Sequence, residues 1–162
     1  MTDYAPVMEI LEAMVPLPRT LGATYKGMGP GWCETALSPR DDIANHIGTI
    51  HAGALFTLGE MASGGAMASI FFELMGSGEA VPLAAKAGIE YRKVAKGAVT
   101  ARAEIAKGDG TEGATEEEAA ALFTELKEIG KVSFPVRISI KDVSGEETTV
   151  MTVSWHVRIK KT

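Results

Sequence analysis

Residues 53–75 read GALFTLGEMASGGAMASIFFELM, and this run contains only two charged side chains, Glu60 and Glu73. The run is long enough to span a bilayer as a helix. Its two carboxylates, its glycines and serines, and the lack of a flanking basic cluster instead favour the buried helix of a globular protein. The Gly-Ser-Gly sequence at residues 76–78 predicts where this helix ends. A helix that is apolar on nearly every side must be enclosed by other elements.

Four segments after this helix alternate between apolar and polar residues, and the alternation predicts strands with one buried face. They cover residues 83–94, 98–106, 132–143 and 148–160. The first has Ala85, Ala87, Ile89 and Tyr91 on one face, and the other three direct inward Val99, Ala101, Ala103, Ile105, Phe134, Val136, Ile138, Ile140, Met151, Val153, Trp155, Val157 and Ile159. A hairpin over residues 21–37, with a Gly-Pro-Gly turn, adds two strands. The sequence therefore predicts an α+β fold in which an antiparallel sheet of five or six strands wraps around the long helix.

Two further helices are predicted outside this core. Residues 5–14 carry apolar side chains at helical spacing, and the prolines that follow are expected to end that helix. Thr115 followed by Glu118 has the form of a capping box, and the apolar stripe after it continues to Gly130, the expected stop. This helix belongs to an insertion between two strands, at about residues 109–131.

Composition and charge narrow the possible functions. The formal net charge is −5, and the basic residues are scattered apart from Arg158, Lys160 and Lys161. General binding to nucleic acid requires clustered Lys and Arg, so that function is not expected. Cys33 is the only cysteine, which rules out an intrachain disulfide and a cysteine metal cluster and fits a cytoplasmic location. The first residues have no basic segment followed by an apolar one, so no signal peptide is expected.

Glu60 is the residue of the long helix that calls for a functional explanation. An ionised carboxylate in an apolar helix costs several kcal/mol unless it is paired. Its neighbours at helical spacing are Phe56, Thr57, Ser63 and Gly64, and the small and polar groups among them leave room for a ligand. Burial is expected to raise the pKa of Glu60 towards the range useful to a general base. The structural alternative is a buried ion pair with Lys or Arg.

The start of the helix, at residues 51–53, offers backbone N–H groups without intrahelical partners. Such groups polarise a carbonyl or hold an oxyanion. Glu60 lies about two turns further on, roughly 10 Å by the helical rise, so a partner subunit or a water would have to close the gap. Each nearby residue also has a structural alternative: His51 as a helix cap, Asn45 as a turn residue, and His46 as a solvated loop residue.

The set formed by Asn45, Gly48, His51, Gly53, Ala54, Leu55, Phe56, Leu58 and Glu60 resembles the signature of the hot-dog-fold thioesterases of the phenylacetate-degradation type. In that signature an Asn or Gln precedes a His-Gly-Gly-like turn, and an Asp or Glu follows on the helix. The segment IEYRK at residues 89–93, then Gly97, Asp142, Gly145 and Trp155, agree with it. The resemblance covers about residues 21–159 and implies one hot-dog domain over residues 1–162.

The resemblance implies a role for each matching residue. Glu60 acts as nucleophile or as general base for a water, and the amides of Ala52 and Gly53 polarise the thioester carbonyl. Asn45 positions the carbonyl or the water, and His51 orients the loop or binds the thioester side. Thr57, Ser63 and Gly64 border the substrate. This chain departs from the pattern in two places: Ala52 replaces a glycine of the turn, and Gly64 stands where a hydroxyl residue is common.

The expected activity is therefore hydrolysis of an acyl-CoA, with coenzyme A as part of the substrate and no separate cofactor or metal. The resemblance also implies a homodimer or a homotetramer in which two chains pair edge to edge and share each site, with no membrane partner. Arg158, Lys160 and Lys161 would then meet the phosphates of coenzyme A, or simply be solvated. The larger apolar residues of the helix, Phe56, Met61, Met67, Phe71 and Phe72, either line an acyl pocket or belong to the core.

Two alternative functions remain open at this stage. Hot-dog hydratases and dehydratases also pair a His with a helix carboxylate, but their histidine loop usually carries a proline-rich turn, and residues 45–53 contain no proline. The other alternative is a non-catalytic acyl-CoA-binding protein, because a fold does not guarantee its chemistry.

Overall fold

In the computed structural model, which describes residues 2–161, the long helix lies inside a curved sheet. The elements follow in the order α1 (Ala5–Met14), α2 (Pro16–Leu21), β1 (Thr24–Gly29), β2 (Trp32–Leu37), α3 (Ala52–Gly76), β3 (Ala80–Tyr91), β4 (Val99–Lys107), β5 (Glu112–Gly113), α4 (Glu116–Ile129), β6 (Lys131–Asp142) and β7 (Glu147–Ile159). One turn of 3-10 helix, Asp41–Ile43, lies in the loop before α3.

The sheet is antiparallel and has seven strands. Six lie side by side in the order β1-β2-β4-β6-β7-β3, and the short β5 pairs with the end of β4. The residues predicted to face inward from β4, β6 and β7 are buried, except that Ile159 is half-buried. The prediction of an α+β fold with a sheet around one long helix is confirmed, and β5 accounts for the strand beyond the predicted six.

Two glycines let α3 lie directly on the sheet. A Cβ added to Gly59 would come within 2.8 Å of the Met151 sulfur, and one added to Gly65 would come within 2.9 Å of the Cys33 Cβ. Both distances are too short for real side chains, so the helix backbone itself packs against the strands. By length and composition α3 could cross a membrane, yet 61% of its most apolar window is buried inside the protein.

β3 is the exposed edge of the sheet. It pairs with β7 on one side only, and residues 83–94 are exposed apart from the half-buried Ile89. The prediction of a buried face formed by Ala85, Ala87, Ile89 and Tyr91 is wrong, because Ile89 alone among them is even half-buried. The pairing with β7 shifts register between Ala84 and Lys86, and residues 83–88 stay exposed even though β3 contacts α3 elsewhere. Large apolar side chains remain in the open here, with Leu83 54% and Tyr91 47% exposed.

The N-terminal helices form a pair that packs on α3 and β1. α1 has the bounds that the sequence predicts, but α2 was missed because Pro16 and Pro18 were interpreted only as stops. Proline also suits the first turn of a helix, where its fixed φ is helical and its missing N–H has no partner to lose. α2 starts at Pro16 and ends at Leu21, and Gly22 caps it with a left-handed φ of 81°.

α4 confirms the predicted capping box. The Thr115 hydroxyl accepts from the Glu118 amide, and the Glu118 carboxylate accepts from the Thr115 amide at 2.7 Å. Phe123 of α4 stacks on Phe71 with 6.5 Å between ring centroids. The inserted helix therefore covers the C-terminal half of α3.

Candidate active site

Glu60 lies in the first half of α3 and borders an apolar cavity of about 190 Å³. α1 and α2 cover this cavity, and α3 forms its floor. Four of the eight methionines of the chain line it: Met14, Met61, Met67 and Met75. Its walls are mostly apolar, with Glu12 and Arg19 as the other charged residues that line it, so the cavity suits a hydrocarbon group held next to Glu60.

The Glu60 carboxylate makes no hydrogen bond or ion pair with the described residues 2–161. Burial raises its pKa above the ordinary value, since the charged form loses hydration and gains no partner. The predicted direction of this shift is confirmed, and the structural alternative of a buried ion pair does not apply within these residues. A raised pKa makes the ionised carboxylate a stronger base, which is the property that a general base needs.

The sequence predicts that Ser63 and Gly64 both lie beside the substrate, but of these two only Gly64 lines the cavity. The Ser63 hydroxyl donates to the Glu60 carbonyl at 2.7 Å and accepts from the Trp155 indole N–H at 3.1 Å. It is fully buried and fixes Trp155, which is part of the cavity wall. Gly64 lines the cavity itself.

Asn45 organises the loop that leads into α3. Its side-chain oxygen accepts from the amides of Ile47 (3.1 Å) and Thr49 (3.0 Å), and its side-chain amide donates to the Thr49 hydroxyl at 2.8 Å. These bonds close a tight turn. In this chain taken alone, Asn45 therefore has the turn role that the sequence left open as an alternative.

Three side chains fix the first turn of α3. The His51 Nδ1 accepts from the Gly53 amide at 2.9 Å, so His51 is the helix cap. The Tyr91 hydroxyl donates to the Ala52 carbonyl at 2.9 Å, and the Thr57 hydroxyl donates to the Gly53 carbonyl at 3.0 Å. No acceptor among residues 2–161 takes the Ala52 amide. The helix start thus offers Ala52 N–H directly, and Gly53 N–H once His51 moves aside.

The predicted site residues divide into two groups within one chain. Glu60 and Gly64 share the apolar cavity, whereas Asn45 and Ala52 line a separate recess beside Tyr91. The eight residue steps from Ala52 to Glu60 span about 12 Å along the helix. The basic residues Arg158, Lys160 and Lys161 line a third recess that shares no residue with the Glu60 cavity.

The sequence interpretation missed the residues that β1, α1 and α2 contribute to the cavity. Tyr25 lines it, and the pKa of its phenol is raised by burial first and then by the nearby charges of Cys33 and Glu60. The expected pocket residues Met61 and Met67 do line it, whereas Phe71 is fully buried and stacks on Phe134 and Phe123. No side chain of α4 reaches this cavity.

An antiparallel sheet wrapped around one long helix is also the architecture of several solved structures. A Pseudomonas aeruginosa protein described as of unknown function and as "probable thioesterase" has a TM-score of 0.78 and 23% identity, over 98% of this chain and 97% of its own. A thioesterase family protein from Silicibacter pomeroyi has a TM-score of 0.71 and 23% identity, over 98% and 100%. A Staphylococcus aureus thioesterase enzyme has a TM-score of 0.64 and 22% identity, over 89% and 99%. This chain is therefore a hot-dog-fold protein.

The family model that matches the chain covers residues 5–157 and is described as a domain of unknown function, DUF4442. The chain belongs to this family. None of the curated proteins compared with it matches in sequence.

Proposed function

We propose that the protein hydrolyses an acyl-CoA thioester and that Glu60 is its catalytic carboxylate. The observation that carries this proposal is the half-buried, unpaired Glu60 beside an apolar cavity. An enzyme gains from such a group, because a carboxylate with a raised pKa removes a proton from water near neutral pH. A purely structural role gives no reason to keep an unpaired carboxylate inside an apolar helix.

The solved relatives add support from their sequence spacing. The Staphylococcus aureus structure described above carries an alanine in place of a glutamine. A second structure of the same protein (TM-score 0.64, 21% identity) carries an alanine in place of a glutamate, and the two positions are fifteen residues apart. Asn45 and Glu60 are separated by the same interval, since 60 minus 45 is fifteen. An Asn and a Glu at this interval match the Asn or Gln and the Asp or Glu of the signature.

In the proposed reaction the ionised Glu60 takes a proton from a water, and the water oxygen bonds to the thioester carbonyl carbon. The Ala52 amide, joined by the Gly53 amide once His51 releases it, donates to the carbonyl oxygen as that oxygen gains negative charge. The carbon–sulfur bond then breaks, the sulfur leaves as the thiol of coenzyme A with the proton from Glu60, and the acid remains. In the alternative route Glu60 attacks the carbonyl carbon directly, the thiol of coenzyme A leaves, and water then hydrolyses the anhydride formed on Glu60. Both routes give the same products and use the same residues.

A second copy of the chain, paired along the exposed edge of β3, would complete the site. An unpaired edge with large exposed apolar side chains favours pairing. The exposed residues 83–94 have their midpoint between Gly88 and Ile89, which we take as the position of a twofold axis. Since Tyr91 contacts Ala52, the end of β3 marks the level of the helix start.

This register brings the two halves of the site together. The distance from the midpoint to Tyr91 is about 8 Å along the strand. The twofold axis doubles this distance, so the helix starts of the two chains lie about 16 Å apart along β3. Glu60 lies about 12 Å beyond its own Ala52 in that direction. Measured along the direction of β3, Glu60 is then about 4 Å from the helix start of the partner subunit. This is a third of the distance from Glu60 to the Ala52 of its own chain. We propose a homodimer, alone or as half of a tetramer, with two shared sites.

The primary test is an assay for free thiol with short, aromatic and long acyl-CoAs. Glu60→Gln should lower kcat/KM at least a hundredfold, the scale of losing a general base, and should keep the fold. Glu73→Gln is the matched control, because Glu73 is an exposed carboxylate of the same helix. Full activity of Glu60→Gln would refute the proposed role.

The shared site is tested by mixing inactive chains. Ala52→Pro removes the Ala52 N–H at a helix position that accepts proline, so it should inactivate with little effect on folding. If sites are shared, mixing Glu60→Gln chains with Ala52→Pro chains restores part of the activity. An active species with the mass of one 17.1 kDa chain would refute the model.

The same assays separate the alternative functions. Hydration of crotonyl-CoA without thiol release would favour a hot-dog hydratase. Binding of acyl-CoA with no turnover in any assay would favour a non-catalytic binding protein.

A further inference from the structure

We infer that the cavity between Glu60 and the α1–α2 pair binds the acyl group, and that Gly64 sets the upper size limit at about six to eight carbons. This inference rests on the proposed thioesterase function, since it assigns the acyl part of that substrate. It names a substrate class, hydrocarbon acyl groups of medium size, and one residue that determines the size.

The position of the cavity relates the acyl group to the reacting atoms. Glu60 and Gly64 are one helical turn apart on α3 and line the same cavity. An acyl group whose carbonyl carbon lies beside Glu60 would therefore have its chain next to Gly64. Leu11 and Val15, from α1 and the residue after it, close the opposite side. The chain is thus held between the N-terminal helices and α3.

The volume of the cavity sets the size of the group. A closed apolar cavity of about 150 Å³ takes up a benzene molecule. The present cavity of about 190 Å³ is moderately larger, so it has room for roughly six to eight carbon atoms. Met61, Met67 and Met75 have flexible side chains that adapt to straight, branched or ring-shaped groups. We therefore expect volume to limit the substrate more strictly than shape.

Gly64 controls this volume without controlling the fold. A Cβ added there would lie 3.6 Å and 3.8 Å from two ring carbons of Trp155, which are ordinary contact distances. The protein can therefore accommodate a methyl group at this position. The methyl group would take up space in the cavity equal to about one water molecule, roughly 30 Å³. A substrate that fills the cavity would lose the corresponding one or two methylene groups of contact.

The test is a series of straight-chain acyl-CoAs from four to twelve carbons, hydrolysed by the wild type, Gly64→Ala and Gly76→Ala. Wild-type kcat/KM should rise about fourfold for each added methylene group and stop rising near eight carbons. With Gly64→Ala the rise should stop one or two carbons earlier, which lowers kcat/KM for the eight-carbon substrate about fourfold to sixteenfold. The four-carbon substrate should lose less than the eight-carbon substrate, since a shorter chain does not fill the cavity.

Gly76→Ala is the matched control, because Gly76 belongs to the same helix and an added Cβ there meets nothing within 4 Å. It should reproduce the wild-type length profile. If Gly64→Ala lowers kcat/KM equally for every chain length, or leaves the profile unchanged, the inference is wrong while thioester hydrolysis stands.

Failure of the proposed function would look different. If the wild type releases no thiol from any acyl-CoA, the same series is titrated calorimetrically into Glu60→Gln and into Glu60→Gln combined with Gly64→Ala. Affinity that stops rising near eight carbons, and earlier with the added methyl group, supports the inference without catalysis. Affinity that does not depend on chain length overturns it.

Discussion

Gly65→Ala should destabilise the protein, although the same change at Gly64 should stabilise it. Replacing a glycine by alanine inside a helix gains about 0.5–1 kcal/mol, because it restricts the unfolded chain. At Gly65 the new methyl group would lie 2.9 Å from the Cys33 Cβ and 3.1 Å from a Tyr25 ring carbon, and closer still to the Cys33 sulfur. The Cβ of Cys33 is held by its strand and cannot move aside. Overpacking of this kind costs about 1–3 kcal/mol.

The two variants should therefore differ in the free energy of unfolding by about 1–3 kcal/mol, the overpacking cost alone. For a chain of this size each kcal/mol corresponds to about 2–4 °C in Tm. The measurement is denaturant unfolding at one fixed protein concentration, because the proposed dimerisation would make stability depend on concentration. Adding Cys33→Ala removes the sulfur and should recover part of the loss in Gly65→Ala only. If Gly65→Ala is as stable as Gly64→Ala, α3 does not pack on β2 as closely as described.

Three further predictions follow from hydrogen bonds and charge. Glu60→Gln should unfold at a higher denaturant concentration than the wild type at pH 7, and at the same concentration below about pH 4. Burial raises the pKa of Glu60, so the protonated carboxyl favours the folded state relative to the ionised one. That contribution to stability is complete at low pH and is lost as pH rises through the pKa of the folded protein. Equal stability at every pH would contradict this. Thr115→Ala should lower the free energy of unfolding by about 1 kcal/mol through loss of the capping box, whereas Thr124→Ala in the same helix should not. Tyr91→Phe should speed amide hydrogen exchange at residues 52–56, since it removes the hydroxyl that holds the Ala52 carbonyl; unchanged exchange would show that this bond does not secure the helix start.

The main architecture was predictable because its signals are local. β4, β6 and β7 keep an uninterrupted alternation of apolar residues, and α3 is apolar around its whole circumference with a Gly-Ser-Gly end. The face of β3 was not predictable, because alternation indicates burial only where a core lies behind the strand. α2 was missed for a different reason: a proline starts a helix or ends one depending on where the chain goes next.

The site was predictable only in part. Glu60 could be identified because a charge in an apolar helix is costly, and the direction of its pKa shift follows from the same argument. Tyr25 and the covering residues Leu11 and Val15 depend on how α1 packs against a helix about fifty residues away, and no local pattern records that contact. The bond between His51 and the Gly53 amide is likewise not determined by local sequence, since the sequence allows both a cap and a substrate contact.

The indole of Trp155 gives the protein an optical probe of its own cavity. The chain has two tryptophans. Trp32 lies on β2, where the Arg102 Cζ is 3.8 Å from the centroid of the Trp32 ring. Trp32 does not line the Glu60 cavity. Trp155 borders that cavity and is held by Ser63, so its ring cannot turn away when a ligand enters. In a protein with Trp32 replaced by Phe, all tryptophan fluorescence would come from beside Glu60, and displacement of water by an acyl group would shift the emission to shorter wavelength in real time.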